Sequence, residues 1–135
     1  MKPLFIGIGG GTGSGKTYLS ELLIREFGTE AVTRIELDSY YIDQPQKSFL
    51  ERQNSNYDHP ESIDITLLKK HIEQLSRKEK INIPRYDFCT HSRFKKTKEI
   101  SPKKIIIIEG ILILYFSEIS EFLKIKVFLD VDTDI

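Results

Sequence analysis

One run of eight residues restricts what this chain can fold into more than any other part of it. The pattern G-x-x-x-x-G-K-[ST] is matched at every fixed position by Gly10-Gly11-Thr12-Gly13-Ser14-Gly15-Lys16-Thr17. Glycines let the backbone turn tightly and bring its N–H groups close to a phosphate chain. Lys16 would place its charge on the β- and γ-phosphates, and the Thr17 hydroxyl would bind Mg²⁺. The run therefore predicts a phosphate-binding loop between a strand and a helix.

Hydrophobic spacing on both sides of the loop predicts alternating strands and helices, hence an α/β fold with a parallel sheet flanked by helices. A polar stretch between two β-like segments adds a β-hairpin insertion. The residues 39–63 are expected to be mostly loop, with one helical turn near Phe49. The predicted central strands are Leu4–Ile8, Val32–Leu37, Ile105–Ile108 and Ile125–Leu129. The predicted helices are Thr17–Phe27, Ser117–Leu123 and a segment that Asp64 caps. The hairpin strands are predicted at Ile81–Phe88 and Phe94–Ile100.

Composition excludes several classes of protein. With 39% hydrophobic and 30% charged residues, the 135-residue chain is expected to be globular, with residues 1–135 forming one domain. Cys89 is the one cysteine, so no internal disulfide can form and a cytoplasmic location is expected. No apolar run reaches the roughly 18 residues that span a bilayer, and no membrane partner is expected.

The zero net charge conceals a basic middle. Residues 66–104 contain twelve Lys and Arg but only four Asp and Glu. Such a segment could bind nucleic acid. A solvated helix and hairpin facing a small anionic substrate is the preferred interpretation, because no RNA-binding aromatic signature accompanies the charges. No nucleic-acid partner is therefore expected.

Two carboxylates are predicted to lie beside the phosphate loop. Asp38 follows the second strand and Glu109 follows the third, and the carboxyl ends of parallel strands face one crevice. One of them could hold Mg²⁺ through water while the other accepts a proton from a hydroxyl. Asp38 could instead be a turn or N-cap residue, whereas a glutamate after four isoleucines is a costly place for an idle charge.

Several further segments occur in a characteristic order and spacing, and with them the chain resembles the uridine kinases of the phosphoribulokinase/uridine kinase family. The resemblance runs from Leu4 to the last residue and implies a P-loop NTPase-type kinase domain. The segments after the P-loop are Leu37-Asp38-Ser39-Tyr40-Tyr41, Asn56-Tyr57-Asp58-His59-Pro60-Glu61-Ser62-Ile63-Asp64, Ile83-Pro84-Arg85-Tyr86-Asp87-Phe88, His91-Ser92-Arg93 and Ile108-Glu109-Gly110-Ile111-Leu112.

The resemblance implies phosphorylation of uridine, and of cytidine as a second substrate, at the 5′-hydroxyl, with ATP or GTP as donor and with Mg²⁺. Asp38 and Lys16 are then the catalytic residues, with Asp38 as the base, and Thr17 and Glu109 belong to the metal shell. The remaining implied roles are ribose binding by Asp58, pyrimidine binding by Tyr86 and His91, and aromatic walls from Tyr41, Tyr57 and Phe88. Related kinases often assemble, which leaves a homo-oligomer open.

The chain departs from the family mainly at its end. Thr12 and Tyr40 stand where the family more often has Ser and Phe. Family members continue past Asp132-Thr133-Asp134 with an arginine-bearing lid helix and a fifth central strand, which this chain lacks. We therefore expect the 135 residues alone to bind phosphate weakly and turn over slowly. A non-catalytic nucleotide-binding fragment or interaction module lacking the lid is the alternative.

Overall fold

A parallel four-stranded sheet forms the centre of the computed structural model, which describes residues 2–11, 15–55 and 59–130. The chain also forms two short antiparallel ladders, and 3-10 turns at Leu37–Tyr40 and Pro60–Ser62. The elements in chain order are β1 (Leu4–Gly10), α1 (Lys16–Phe27), β2 (Val32–Glu36), α2 (Phe49–Gln53), α3 (Ile65–Ser76), β3 (Ile81–Ile83), β4 (Tyr86–Asp87), β5 (Ser92–Arg93), β6 (Lys98–Ile100), β7 (Ile105–Glu109), α4 (Ser117–Ser120) and β8 (Ile125–Leu129).

The strand order of the main sheet is β2-β7-β1-β8, and each neighbouring pair is parallel. Strand β7 lies between β1 and β2 and is a run of isoleucines because both of its faces are covered. Ile106, Ile107 and Ile108 are fully buried. The four predicted central strands and the parallel sheet are confirmed, with ends that differ by one or two residues.

Helices cover the two faces of this sheet. On one face, Ile6, Ile8 and Ile107 pack with apolar residues of α1. On the other face, Ile106 and Ile108 join a larger core with α3 and the turn after β2. The sheet therefore holds α1 on one side and α3 on the other, and all its strands end at one edge.

Both long helices begin within a residue of the predicted positions, and α1 ends at Phe27 as predicted. Asp64 caps α3, since its Oδ1 accepts a hydrogen bond from the Leu67 N–H at 3.2 Å. Gly28 follows α1 with a φ of +92°, a conformation that favours glycine, and its N–H donates to the Ile24 carbonyl. A single turn, α2, begins at Phe49 behind a capping box made by Ser48 and Glu51.

The structure differs from the predicted hairpin in one respect: the observed hairpin is divided into two separate antiparallel ladders. Ile81 pairs with Ile100 in the β3–β6 ladder, and Tyr86 pairs with Arg93 in the β4–β5 ladder. Pro84 lies between the two ladders, and a proline interrupts pairing because it has no N–H to donate. The predicted helix over Ser117–Leu123 is also shorter and ends at Ser120.

Among the helices of the described residues, none has the length and apolar character needed to cross a bilayer.

Candidate active site

The candidate site lies at the edge where β1, β2 and β7 end. Ile8 of β1 and Glu36 of β2 are both in register with Glu109, the last residue of β7. The glycine loop leaves β1 at this edge, and the turn that carries Asp38 leaves β2 there. Parallel pairing thus brings the three predicted segments together.

The described part of the phosphate loop has the geometry that its glycines allow. Gly10 and Gly15 have φ values of 141° and 93°, in a region that L side chains rarely adopt. The ammonium of Lys16, at the start of α1, donates a hydrogen bond to the Gly11 carbonyl at 2.9 Å and so lies over the loop. Thr12, Gly13 and Ser14, which the sequence also assigned to phosphate binding, lie outside the described residues.

Glu109 is a buried carboxylate held by two hydroxyl groups of α1. It is 5% exposed. Thr17 Oγ1 donates to its Oε1 at 3.4 Å, and Ser20 Oγ donates a short hydrogen bond to its Oε2. Burial of a charged group is costly without such partners. Glu109 is therefore fixed at the mouth of the phosphate loop with one oxygen beside Thr17.

Ser20 is a site residue that the sequence analysis missed. Among the residues of α1, all of which are described, it is the one that is buried. It lies three positions after Thr17, and residues three apart share one face of a helix. This spacing was the signal in the sequence that could have identified it.

The residue after Glu109 must be small. A Cβ on Gly110 would lie 2.5 Å from the Cβ of Leu37, which begins the turn after β2. Two backbones thus approach closely at this point, and the carboxylates of Asp38 and Glu109 are carried by these neighbouring segments.

Asp38 is exposed to solvent, and its surroundings change its acidity. Partial desolvation by the protein is the largest effect and raises the pKa of Asp38 above its ordinary 3.8, and the negative charge of Glu36 raises this pKa further. The ammonium of Lys16 and a hydrogen bond from the Tyr41 hydroxyl oppose that rise. Asp38 therefore interacts with the charge of Lys16 in the phosphate loop and with the hydroxyl of Tyr41.

Three of the predicted aromatic residues form one cluster beside Asp38. The ring centroids of Tyr41, Tyr86 and Phe88 lie 5.2–5.9 Å apart, and all three pairs are edge-to-face. Tyr41 and Tyr86 are buried, whereas Phe88 is exposed. The cluster joins the turn after β2 to the β4–β5 ladder and presents the ring of Phe88 to solvent.

The other predicted nucleoside-binding residues are placed differently. His91 has a φ of +53° in the turn between β4 and β5, and its ring packs on Phe49 of α2 at 5.7 Å. His91 follows Phe88 of the cluster by three residues in the chain. Tyr57 and Asp58 lie outside the described residues.

The oxygen atoms of Thr17 and Glu109 suit a magnesium ion. Mg²⁺ prefers hard oxygen ligands and is bound through one or two side chains together with substrate phosphates. A hydroxyl and a carboxylate 3.4 Å apart supply such a set next to the phosphate loop. Within residues 2–11, 15–55 and 59–130, no group of three or more His, Cys, Asp or Glu could hold a metal, so a cage built from protein alone is not indicated there.

Together, the parallel sheet, the glycine loop before α1 and the acids at neighbouring strand ends define a P-loop protein of the kinase type. The family model described as the phosphoribulokinase/uridine kinase family matches residues 5–135. The chain belongs to this family, as the sequence motifs predicted.

Curated relatives carry a more specific name. The chain is 46% identical over 134 residues to the uridine kinase of Clostridium perfringens strain 13 and 47% identical over 134 residues to that of Clostridium tetani. It is 42% identical over 134 residues to the uridine kinase of Streptococcus thermophilus strain CNRZ 1066. Each match covers 99% of this chain and 64% of the relative, so the chain spans just under two thirds of their length.

Solved structures share the fold. A possible uridine kinase from Bacillus stearothermophilus aligns with a TM-score of 0.71 at 25% identity, over 98% of this chain and 73% of that one. A phosphoribulokinase from Rhodobacter spheroides aligns with a TM-score of 0.70 at 15% identity, over 94% of this chain and 50% of that one. The second likeness bears on the fold alone.

Proposed function

We propose that this chain transfers the γ-phosphoryl group of ATP to the 5′-hydroxyl of uridine, with cytidine as a second substrate and GTP as an alternative donor. The observation that carries the proposal is the grouping of Lys16, Asp38 and Glu109 at one sheet edge beside an aromatic cluster. The relatives named uridine kinase support the choice of substrate.

The phosphate side of the reaction belongs to Gly10–Thr17. Backbone N–H groups of the loop and the start of α1 cradle the phosphates, and Lys16 neutralises charge on the β- and γ-phosphates. Thr17 and Glu109 would hold Mg²⁺, which when bound supplies further neutralisation of the phosphate oxygens. Ser20 keeps the Glu109 carboxylate oriented toward Thr17.

The acceptor side belongs to Asp38. Its carboxylate takes the proton of the 5′-hydroxyl as that oxygen forms a bond to the γ-phosphorus. The bond between the γ-phosphorus and the bridging oxygen breaks, and ADP leaves with that electron pair. A raised pKa makes Asp38 a better proton acceptor than an ordinary aspartate, while Lys16 and Tyr41 favour its ionised form.

The nucleoside is proposed to lie against Tyr41, Tyr86 and Phe88. A flat apolar ring suits the face of a nucleobase, and Phe88 presents one to solvent. Tyr86 and His91 are proposed to bind the pyrimidine edge. Tyr57 as a further wall and Asp58 as the ribose ligand complete the proposed substrate site.

The domain organisation, cellular compartment and oligomeric state are part of the same proposal. Residues 1–135 are taken as one P-loop kinase domain acting on a small nucleoside, and the single Cys89 favours a reducing compartment such as the cytoplasm. A homo-oligomer is proposed as well, and the native mass would reveal it.

Replacement of Asp38 tests the proposed base. Asp38→Asn removes proton acceptance but keeps the shape of the side chain, so we expect uridine-dependent formation of ADP and UMP to fall by about 100-fold or more. ATP binding, measured by calorimetry, should change little because the phosphate loop is untouched. The matched control is Glu121→Gln, an exposed carboxylate just after α4, which should keep activity within about threefold.

The substrate controls are 5′-deoxyuridine, which has no acceptor hydroxyl, and uridine itself. Phosphorylation of uridine with none of 5′-deoxyuridine is the expected result. Full activity of Asp38→Asn would show that another group is the base. Absence of any uridine-dependent turnover, even after the C-terminal third of a curated relative is fused to this chain, would favour the alternative of a non-catalytic nucleotide-binding module.

A further inference from the structure

We propose that Arg93 is a positioning residue that ties the turn carrying Asp38 to the aromatic β4–β5 ladder and so holds the acceptor side of the site together. The proposal rests on the proposed function for its effect on turnover. Its structural part, that Arg93 restrains the turn, stands without it.

The contacts of Arg93 reach two separate elements. Its Nε–H donates to the Tyr41 carbonyl at 2.9 Å, just after the 3-10 turn. Its Nη2–H donates to Asp64 Oδ2 at 3.3 Å, at the start of α3. The Arg93 side chain is 22% exposed, so this ion pair is better shielded from solvent than a surface pair. A planar guanidinium can serve both acceptors at once, which a lysine ammonium does less well.

Tyr41 is the residue through which Arg93 acts. The hydroxyl of Tyr41 hydrogen-bonds the Asp38 carboxylate, and its ring packs against Tyr86 and Phe88. Fixing the Tyr41 backbone therefore sets two things at once, the direction of the proposed base and the position of the proposed nucleoside wall. Arg93 therefore acts on the Asp38 carboxylate and on the rings through Tyr41, whose backbone it holds.

Asp64 is the anchor of this link, and it has two tasks. Its Oδ1 caps α3 through the Leu67 N–H while its Oδ2 accepts from Arg93. Replacement of Asp64 would remove the helix cap together with the ion pair and would confuse the two effects. The test is therefore made on Arg93.

Replacement of the Arg93 side chain should leave the ladder folded. Its backbone pairs with Tyr86, and its backbone N–H donates to Asp43 Oδ1 at 3.3 Å, and neither contact needs the guanidinium. The phosphate loop, on β1 and α1, is built from other segments. The expected damage is thus confined to the turn and the acceptor side.

Arg93→Gln should lower kcat/KM for uridine by about 10- to 100-fold, because a displacement of about 1 Å in a reacting group costs that much. The KM for ATP should stay within about twofold. Arg93→Lys keeps the charge and should recover part of the loss. The matched control is Arg85→Gln, on the same hairpin, where the guanidinium lies over the Phe94 ring and should be dispensable.

A second measurement does not depend on turnover. Amide hydrogen exchange of residues 37–42 should be faster in Arg93→Gln than in the unmodified chain, with α1 and the start of α3 unchanged and with Arg85→Gln behaving like the unmodified chain. Unchanged exchange in this turn overturns the proposal whether or not the chain is active. Equal losses for uridine and ATP together with a general rise in exchange would also overturn it, since they indicate a merely structural residue. Absence of uridine turnover in the chain fused to the C-terminal third of a curated relative, with faster exchange in the variant, refutes the proposed function and leaves the restraint of the turn supported.

Discussion

The orientation of Glu109 depends on hydroxyl groups from α1. Thr17 and Ser20 each donate to one carboxylate oxygen, and both hydroxyls lie on the same helix face. Because hydrogen bonds to a buried charged group are stronger than neutral ones, Ser20 contributes to stability as well as to geometry.

Ser20→Ala should lower the free energy of unfolding by about 1–3 kcal/mol, because it leaves a buried carboxylate oxygen without this partner. It should also weaken binding of ATP with Mg²⁺ more than binding of uridine, since Glu109 faces the phosphate loop. Denaturant unfolding and calorimetry measure the two effects. The control is Ser76→Ala, whose hydroxyl donates to the Ile72 carbonyl within α3 instead of to Glu109. Equal effects on both ligands would contradict the assignment.

At the scale of elements, the turn after β2 is attached to α3 through a buried polar pair. The Tyr40 hydroxyl and His71 Nδ1 share a hydrogen bond at 2.8 Å, and both residues are buried. Burial is the main cause that lowers the pKa of His71, and the nearby Lys70 lowers it further while Asp64 acts in the opposite direction. The histidine is therefore held neutral in the folded chain.

This pair predicts that the chain loses stability in acid. The unfolded histidine takes up a proton near its ordinary pKa of 6.5, whereas the folded one resists protonation to a lower pH. The stability contributed by neutral His71 is thus complete above about pH 6.5 and declines as the pH falls toward the lowered folded pKa. Thermal unfolding at pH 7.5, 6.5 and 5.5 should show this decline.

His71→Gln keeps hydrogen-bonding capacity without titrating, so it should flatten the decline between pH 6.5 and 5.5. His59→Gln, at an exposed histidine outside this buried pair, is the control for the loss of a histidine as such. An unaltered slope in His71→Gln would show that another group is responsible.

At the scale of the whole molecule, the sheet edge formed by β8 is a surface that could pair with another chain. In the part of the chain that the structure describes, β8 pairs with β1 and lies at the edge of the sheet. Phe128 is 63% exposed there, and Ile125 is exposed as well. An edge strand with exposed apolar side chains offers unpaired backbone groups to another chain.

Phe128→Lys should therefore reduce concentration-dependent self-association of these 135 residues, because a charged side chain on an edge strand opposes edge-to-edge pairing. Sedimentation velocity over a range of protein concentrations measures it. Leu50→Lys, on α2, is the matched control because Leu50 is 65% exposed but is not on a strand. If both substitutions reduce association equally, general hydrophobicity rather than the edge is the cause.

The parts of the fold that could be predicted are those set by near neighbours in the chain. The strands, the helix caps and the glycine loop each depend on residues within one or two turns of one another, so their patterns are visible in the sequence. The family assignment rested on such segments and is confirmed. The roles of Asp38, Tyr86, His91 and the other site residues remain predictions.

The contacts that escaped prediction join distant positions. Ser20 and Glu109 are 89 residues apart, Tyr41 and Arg93 are 52 apart, and Tyr40 and His71 are 31 apart. The helical spacing from Thr17 was a signal for Ser20, whereas Arg93 and His71 have no local pattern that distinguishes a structural partner from a solvated side chain. Pro84 was visible in the sequence, but the division of the hairpin at this residue depended on the pairing of β3 with β6 and of β4 with β5.

By itself, the sequence determined the phosphate loop, the order of strands and helices, and the family, because backbone conformation and hydrophobic period are local properties. Only the tertiary structure decided which side chains meet at the edge of the sheet. Parallel pairing of β2, β7 and β1 brings Asp38, Glu109 and Lys16 together, and the packing of α1 and α3 on opposite faces supplies Ser20 and Asp64 as their supports. These side-chain contacts follow from strand register and helix placement, which are properties of the whole core and not of any single segment.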